Sequence, residues 1–133
     1  MTGSGMTETS KSYTRVVGTH DGRSAFEDAE LQLNEVHIAD GVPAMLVGDL
    51  GAAQGGGFVR FAAFHGEPHP AAGPQWVIVL RGTIEVEVSD GTSRRFGPGD
   101  LILATDTGGH GHITRVVGDQ PVEALSIPSA SDG

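Results

Sequence analysis

The 133-residue chain has no cysteine. That absence excludes disulfides, thiolate nucleophiles, iron-sulfur clusters and cysteine zinc sites together. Any metal must be held by His, Asp, Glu or amide oxygen, and the six histidines carry most of the chemical options. Basic residues are scarce as well: eight Lys and Arg stand against seventeen Asp and Glu, a formal net charge of -9. With no basic stripe to neutralise phosphates, nucleic acid and membrane surfaces are not expected partners. No stretch approaches the roughly 18 apolar residues of a spanning helix. Met1 to Ser10 lacks the apolar run of a signal peptide, so the expected location is the cytoplasm.

Long helical patterns are missing too. Twenty-one Gly and seven Pro interrupt the chain so often that only a turn of helix near Ser24 to Glu30 is expected. The length suits one domain, with residues 1–10 as a mobile leader, 11–128 as the folded unit and 129–133 as a short tail. What recurs is short alternating or apolar runs closed by turn residues, at the roughly 8 to 12 residue spacing of a sandwich or barrel. In Thr83 to Ser89, Ile84, Val86 and Val88 share one face and Glu85 and Glu87 the other, which faces water. Asp90-Gly91 follows as the dipeptide of a type I′ hairpin turn, and Ser93 to Phe96 returns as a strand. Gly97-Pro98-Gly99-Asp100 makes a tight corner before the apolar strand Leu101 to Ala104. Strands are also expected at Tyr13 to Val17, Leu31 to Val36, Ala44 to Val47, Phe58 to Phe64, Gln75 to Leu80, His112 to Val117 and Val122 to Ile127.

The corner, the hairpin and the histidine spacing resemble the cupin superfamily of small antiparallel β-barrels. The resemblance spans about Phe58 to Ile127 and implies an all-β, jelly-roll-like double-stranded β-helix. The family's first motif sets His-x-His and then Glu ahead of a Gly. Counting back from Gly82 puts Gln75 at the Glu, Ala71 at the second His and His69 at the first. The second motif matches through Phe96 to Asp100, followed by a His at either position 110 or position 112. Ala71 cannot bind a metal, and Gln75 offers only a neutral carbonyl. The site implied by the resemblance is therefore half dismantled, and its fold is better defined than its activity.

Three functional readings follow. In the first, His69, Gln75 and His112 are catalytic: an imidazole moves protons near neutral pH, and Gln75 orients a carbonyl or hydroxyl. The substrate is then a small apolar or polyketide-like organic molecule that is isomerised or cyclised, with no nucleotide cofactor, since Gly55-Gly56-Gly57 lacks the Lys and helix of a phosphate loop. In the second, one divalent metal (Fe, Mn, Ni or Zn) is held by His69 and His112 with help from His65 or Glu67, as in a dioxygenase or isomerase. In the third, the barrel binds a ligand without turning it over. Phe58, Arg60, Phe64 and Trp76 are candidate substrate-binding residues, although alternation puts Trp76 on the face opposite Gln75, where packing or an oligomer contact is the commoner role. His110 sits in a Gly-rich loop that favours a solvated position. Asp106, in the same loop, either orients an imidazole or belongs to a common surface turn. A homodimer is expected.

Overall fold

A computed structural model describes residues 8–53, 55–62, 68 and 70–129. Ten strands form, each ended by the turn residues that make long helices impossible: β1 (Ser10–Gly18), β2 (Ser24–Val36), β3 (Met45–Gly48), β4 (Gly57–Phe61), β5 (Gln75–Arg81), β6 (Thr83–Glu87), β7 (Ser93–Phe96), β8 (Leu101–Ala104), β9 (Ile113–Val117) and β10 (Val122–Pro128). They make a seven-stranded sheet in the order β3-β2-β1-β8-β5-β10-β4 and a three-stranded sheet in the order β7-β6-β9. Neighbours run antiparallel except β1 and β8, which are parallel. Among the described residues no helix is long and apolar enough to cross a membrane.

The core lies between the two sheets. Val16, Val79, Ile102 and Val122 from the large sheet pack with Ile84, Val86, Val88 and Phe96 from the β6 to β7 side. Burying each such side chain contributes about 1.5–3 kcal/mol. The alternation of β6 is carried through: Ile84 and Val86 are buried, and outside, Glu85 meets Arg95 at 3.3 Å while Glu87 meets Arg115 at 2.9 Å.

Two local expectations are corrected. Ser24 to Glu30 is strand, because it pairs residue for residue with β1 from Gly18↔Ser24 back to Ser12↔Glu30. Pairing across nine residues of β1 outweighs a weak local helical pattern. Asp90-Gly91 is not a type I′ turn, which needs positive φ at both residues. No non-glycine residue has positive φ; Gly91 alone does, at 86°, after a turn closed by Gly91 N donating to Val88 O at 2.9 Å. That is the three-residue hairpin in which a left-handed glycine follows an ordinary turn. The chain also pairs beyond the expected termini of the domain. Ser10 opens β1, Thr9 O accepts from Leu33 N at 2.9 Å, and Ser129 bridges Ala53.

Candidate functional site

Alternation along the strands decides which side chains reach the interior. On β5, Gln75 and Val77 face inward; on β8, Ile102 and Ala104 do so beside Val16 of β1; on β10, Ala124 and Ser126 do so. From the other sheet come Ile84, Val86 and Thr114, with His112 immediately before β9. Together they enclose a cavity of about 320 Å³, mostly apolar, at the small end of the range for small-molecule sites. Among the described residues its polar side chains are Gln75 and Ser126 from the large sheet, and His112 and Thr114 at the small one. Ser126 Oγ donates to Gln75 Oε1 at 3.2 Å, which fixes the amide.

His112 is held by a carboxylate. Asp106 is completely buried, and its Oδ2 lies 2.5 Å from His112 Nδ1. A carboxylate only accepts hydrogen bonds, so Nδ1 is the donor in this bond. Asp106 Oδ1 is also buried and has no hydrogen-bond partner among the described residues. The carboxylate's compensation for losing water therefore comes chiefly from the imidazole.

The loop carrying this pair is pinned at several points. Asp106 O accepts from Ala71 N at 3.1 Å, and Thr105 N donates to Val16 O at 2.8 Å. At the far end Ser24 Oγ donates to Gly111 O at 2.6 Å, and His110 N donates to Gly22 O at 2.9 Å. Gly109 is required here: its φ is +77°, and a Cβ would lie 2.4 Å from Gly22 O.

The other sequence candidates are placed as follows. Gln75 and His112 share the cavity. His65, Glu67, His69 and Phe64 lie outside the described residues. His110 is exposed and lines a different, outer cavity. Phe58 and Arg60 are corrected: both are exposed, with Phe58 at 57%, and neither lines the cavity. The guanidinium lies over the Phe58 ring and pairs with Glu123 at 2.8 Å. Val59 and Phe61, of the opposite parity, take the inward positions. Trp76 takes the packing role among its alternatives and does not line the cavity. It is buried on the outer face of the large sheet, its ring against Tyr13 at 4.9 Å and its Nε1 donating to Leu50 O at 2.9 Å. The segment at Leu50 accepts this bond, so Trp76 is a packing residue, and it is not an exposed oligomer contact.

Thr114 and Ser126 did not stand out in the sequence. The signal for Ser126 is one hydroxyl at an inward position of an otherwise apolar strand; Asp106 carries no local sign of its burial.

The cupin domain family matches residues 60–128, more than half of the chain. The chain belongs to the cupin family. No curated protein matches it. The solved structures similar to it include two of low identity. One is the cupin domain of Cnp3 from Schizosaccharomyces pombe, with 13% identity and a TM-score of 0.45 over 95% of this chain and 88% of that one. The other is a Salmonella typhimurium LT2 protein described as ethanolamine utilization protein Q, with 14% identity and a TM-score of 0.42 over 90% of this chain and 96% of that one.

The described residues do not fit the metal site that the family resemblance implies. Position 71 is a buried alanine, position 75 a neutral amide whose Oε1 accepts from Ser126, and His112 is the one imidazole among the described residues that line this cavity. Among the described residues no three His, Asp or Glu side chains gather at ligand spacing.

Proposed function

We propose that this cupin binds a small apolar organic molecule between its sheets and promotes a proton-driven step on it, such as an isomerisation or cyclisation. The observation that carries the reading is the buried Asp106 bonded at 2.5 Å to His112 Nδ1, on the wall of an apolar cavity. The bond orients the ring with Nδ1 as donor, and in this reading the imidazole takes a proton from the substrate. Asp106 then faces the imidazolium that forms, as the carboxylate does in a Ser-His-Asp arrangement. Gln75, fixed by Ser126, faces from the other sheet and orients a carbonyl or hydroxyl. A cavity of about 320 Å³ holds about ten waters' volume at about 30 Å³ each, enough for one ring with a short chain. A cytoplasmic location is part of this reading. So is a homodimer, with Phe58 and Leu80 as exposed apolar surface on the large sheet; light scattering at the mass of one 13.7 kDa chain would contradict the pairing.

The test uses 5-nitrobenzisoxazole. Removal of its C–H proton by a base breaks the N–O bond and releases a coloured cyanophenolate, with no other reactant. The expected result is turnover by the native protein that survives exhaustive chelation and falls by about 10² or more in His112→Ala. Equal rates in the two proteins would overturn the reading. Turnover lost to chelator and restored by iron, manganese, nickel or zinc would favour a metal-dependent cupin, and binding without turnover a ligand-binding one.

A further inference from the structure

A second cavity, of about 270 Å³, lies on the outer side of His112 and has a larger polar share in its walls than the first. Arg23, Ser89, Glu87 and His110 line it, and His112 is the side chain common to both cavities. Arg23 is brought here by the turn between β1 and β2. Its Nη2 donates to Ser89 O at 3.0 Å, while the neighbouring Ser24 binds Ser89 and Gly111.

The charge at this place is out of keeping with the rest of the molecule. Five of the seven arginines pair with carboxylates: Arg15 with Glu27, Arg60 with Glu123, Arg94 with Asp28, Arg95 with Glu85, and Arg115 with Glu85 and Glu87. Arg23 makes no ion pair among the described residues, although acids outnumber bases seventeen to eight. Its charge reaches the nearby Asp90 carboxylate, which Thr92 hydrogen bonds chiefly hold below its usual range. The other carboxylate of the cavity, Glu87, is engaged by Arg115 at 2.9 Å. Arg81 also lacks an ion pair among the described residues, but it is exposed and lines neither cavity. Among the described residues, the guanidinium that faces one of these two cavities without an ion pair is thus Arg23, which shares its cavity with His112.

We infer that the outer cavity receives a carboxylate, with Arg23 as its counter-ion, from a molecule whose apolar part lies in the inner cavity, so that the ligand class is a small amphipathic organic acid. The inference rests on the reading of the inner cavity as the ligand site. A guanidinium matches a carboxylate with two parallel N–H bonds. A molecule divided between the two cavities carries its joining carbons past His112, the residue they share. The net charge of -9 repels an anion at long range. A preference for acid over neutral analogue must therefore come from a local cation.

Calorimetric titration with 4-phenylbutanoate, 4-phenylbutan-1-ol and 4-phenylbutylamine tests this. The native protein is expected to bind the acid about tenfold or more tightly than the alcohol. Arg23→Gln should bring the acid down to the alcohol and leave the alcohol unchanged. Arg23→Glu should prefer the amine, a gain that a misfolded protein cannot produce. Equal binding of acid and alcohol by the native protein, binding of neither, or an acid preference kept in Arg23→Gln would overturn the inference. None of these readouts uses turnover. A failure of 5-nitrobenzisoxazole cleavage with the acid preference intact would strike the proton-transfer reading alone.

Discussion

Asparagine at position 106 would keep the shape of the buried side chain and lose its chemistry. Asp106 can only accept, which forces the proton onto His112 Nδ1; an amide can donate as well as accept, and it carries no charge to face an imidazolium. Asp106→Asn is therefore expected to lower kcat for 5-nitrobenzisoxazole by about 10² or more with little change in KM. A variant that loses KM and kcat in equal measure would point to a misplaced loop instead. Residues at the surface set a different property. Glu30 is held below the usual carboxylate range by hydrogen bonds from Ser12 and Ser10, Asp21 by Thr19, and Asp90 by Thr92. A carboxyl depressed in the folded state contributes stability above its unfolded value and loses it as pH falls through the folded one. The thermal midpoint should fall as pH drops below about 4, and Ser12→Ala should reduce that fall. An unchanged acid limb in the variant would contradict the assignment of Glu30.

At the scale of elements, the strands could be read from the sequence wherever alternation and turn chemistry agreed, as in β6, β7, β8 and β10. They could not be read where partners decide: Ser24 to Glu30 is strand because β1 lies beside it. Parity was the weak point of the site. Phe58 and Arg60 have the same spacing as Val59 and Phe61, and which set turns inward depends on the register of β4 with β10, where Val59 meets Ala124. The corner at Gly97 to Asp100, whose Gly97 N donates to Asp100 Oδ2 at 2.8 Å, left the choice between His110 and His112 open, and of the two His112 lines the inner cavity. The partner of His112 was not legible, because a lone Asp in a Thr- and Gly-rich loop reads the same whether exposed or buried. That loop depends on its contact with the β1 to β2 turn. Gly109→Ala would force a side chain into a left-handed backbone and against Gly22 O, so it should lower both the thermal midpoint and turnover. Gly91→Ala, with the same kind of φ and open space around it, should lower the midpoint alone. Equal turnover losses in the two would break the link between the loop and His112.

At the scale of the whole molecule, two sheets of unequal size leave a gap that core side chains do not fill, and an acidic exterior surrounds an interior with few polar groups. The large sheet supplies most of the apolar wall together with Gln75 and Ser126; His112 comes from the side of the small one, tied to Asp106. The claim on which the account stands is that this buried pair and this cavity are one site. Nitrogen NMR of the His112 ring, assigned by comparison with His112→Gln, tests it with and without 4-phenylbutan-1-ol, a neutral probe that makes no demand on Arg23. The account predicts a ring protonated at Nδ1, with the alcohol shifting the Nε2 resonance and leaving Nδ1 in place. A ring protonated at Nε2 and not at Nδ1, or an Nε2 resonance that saturating alcohol does not move, would contradict it.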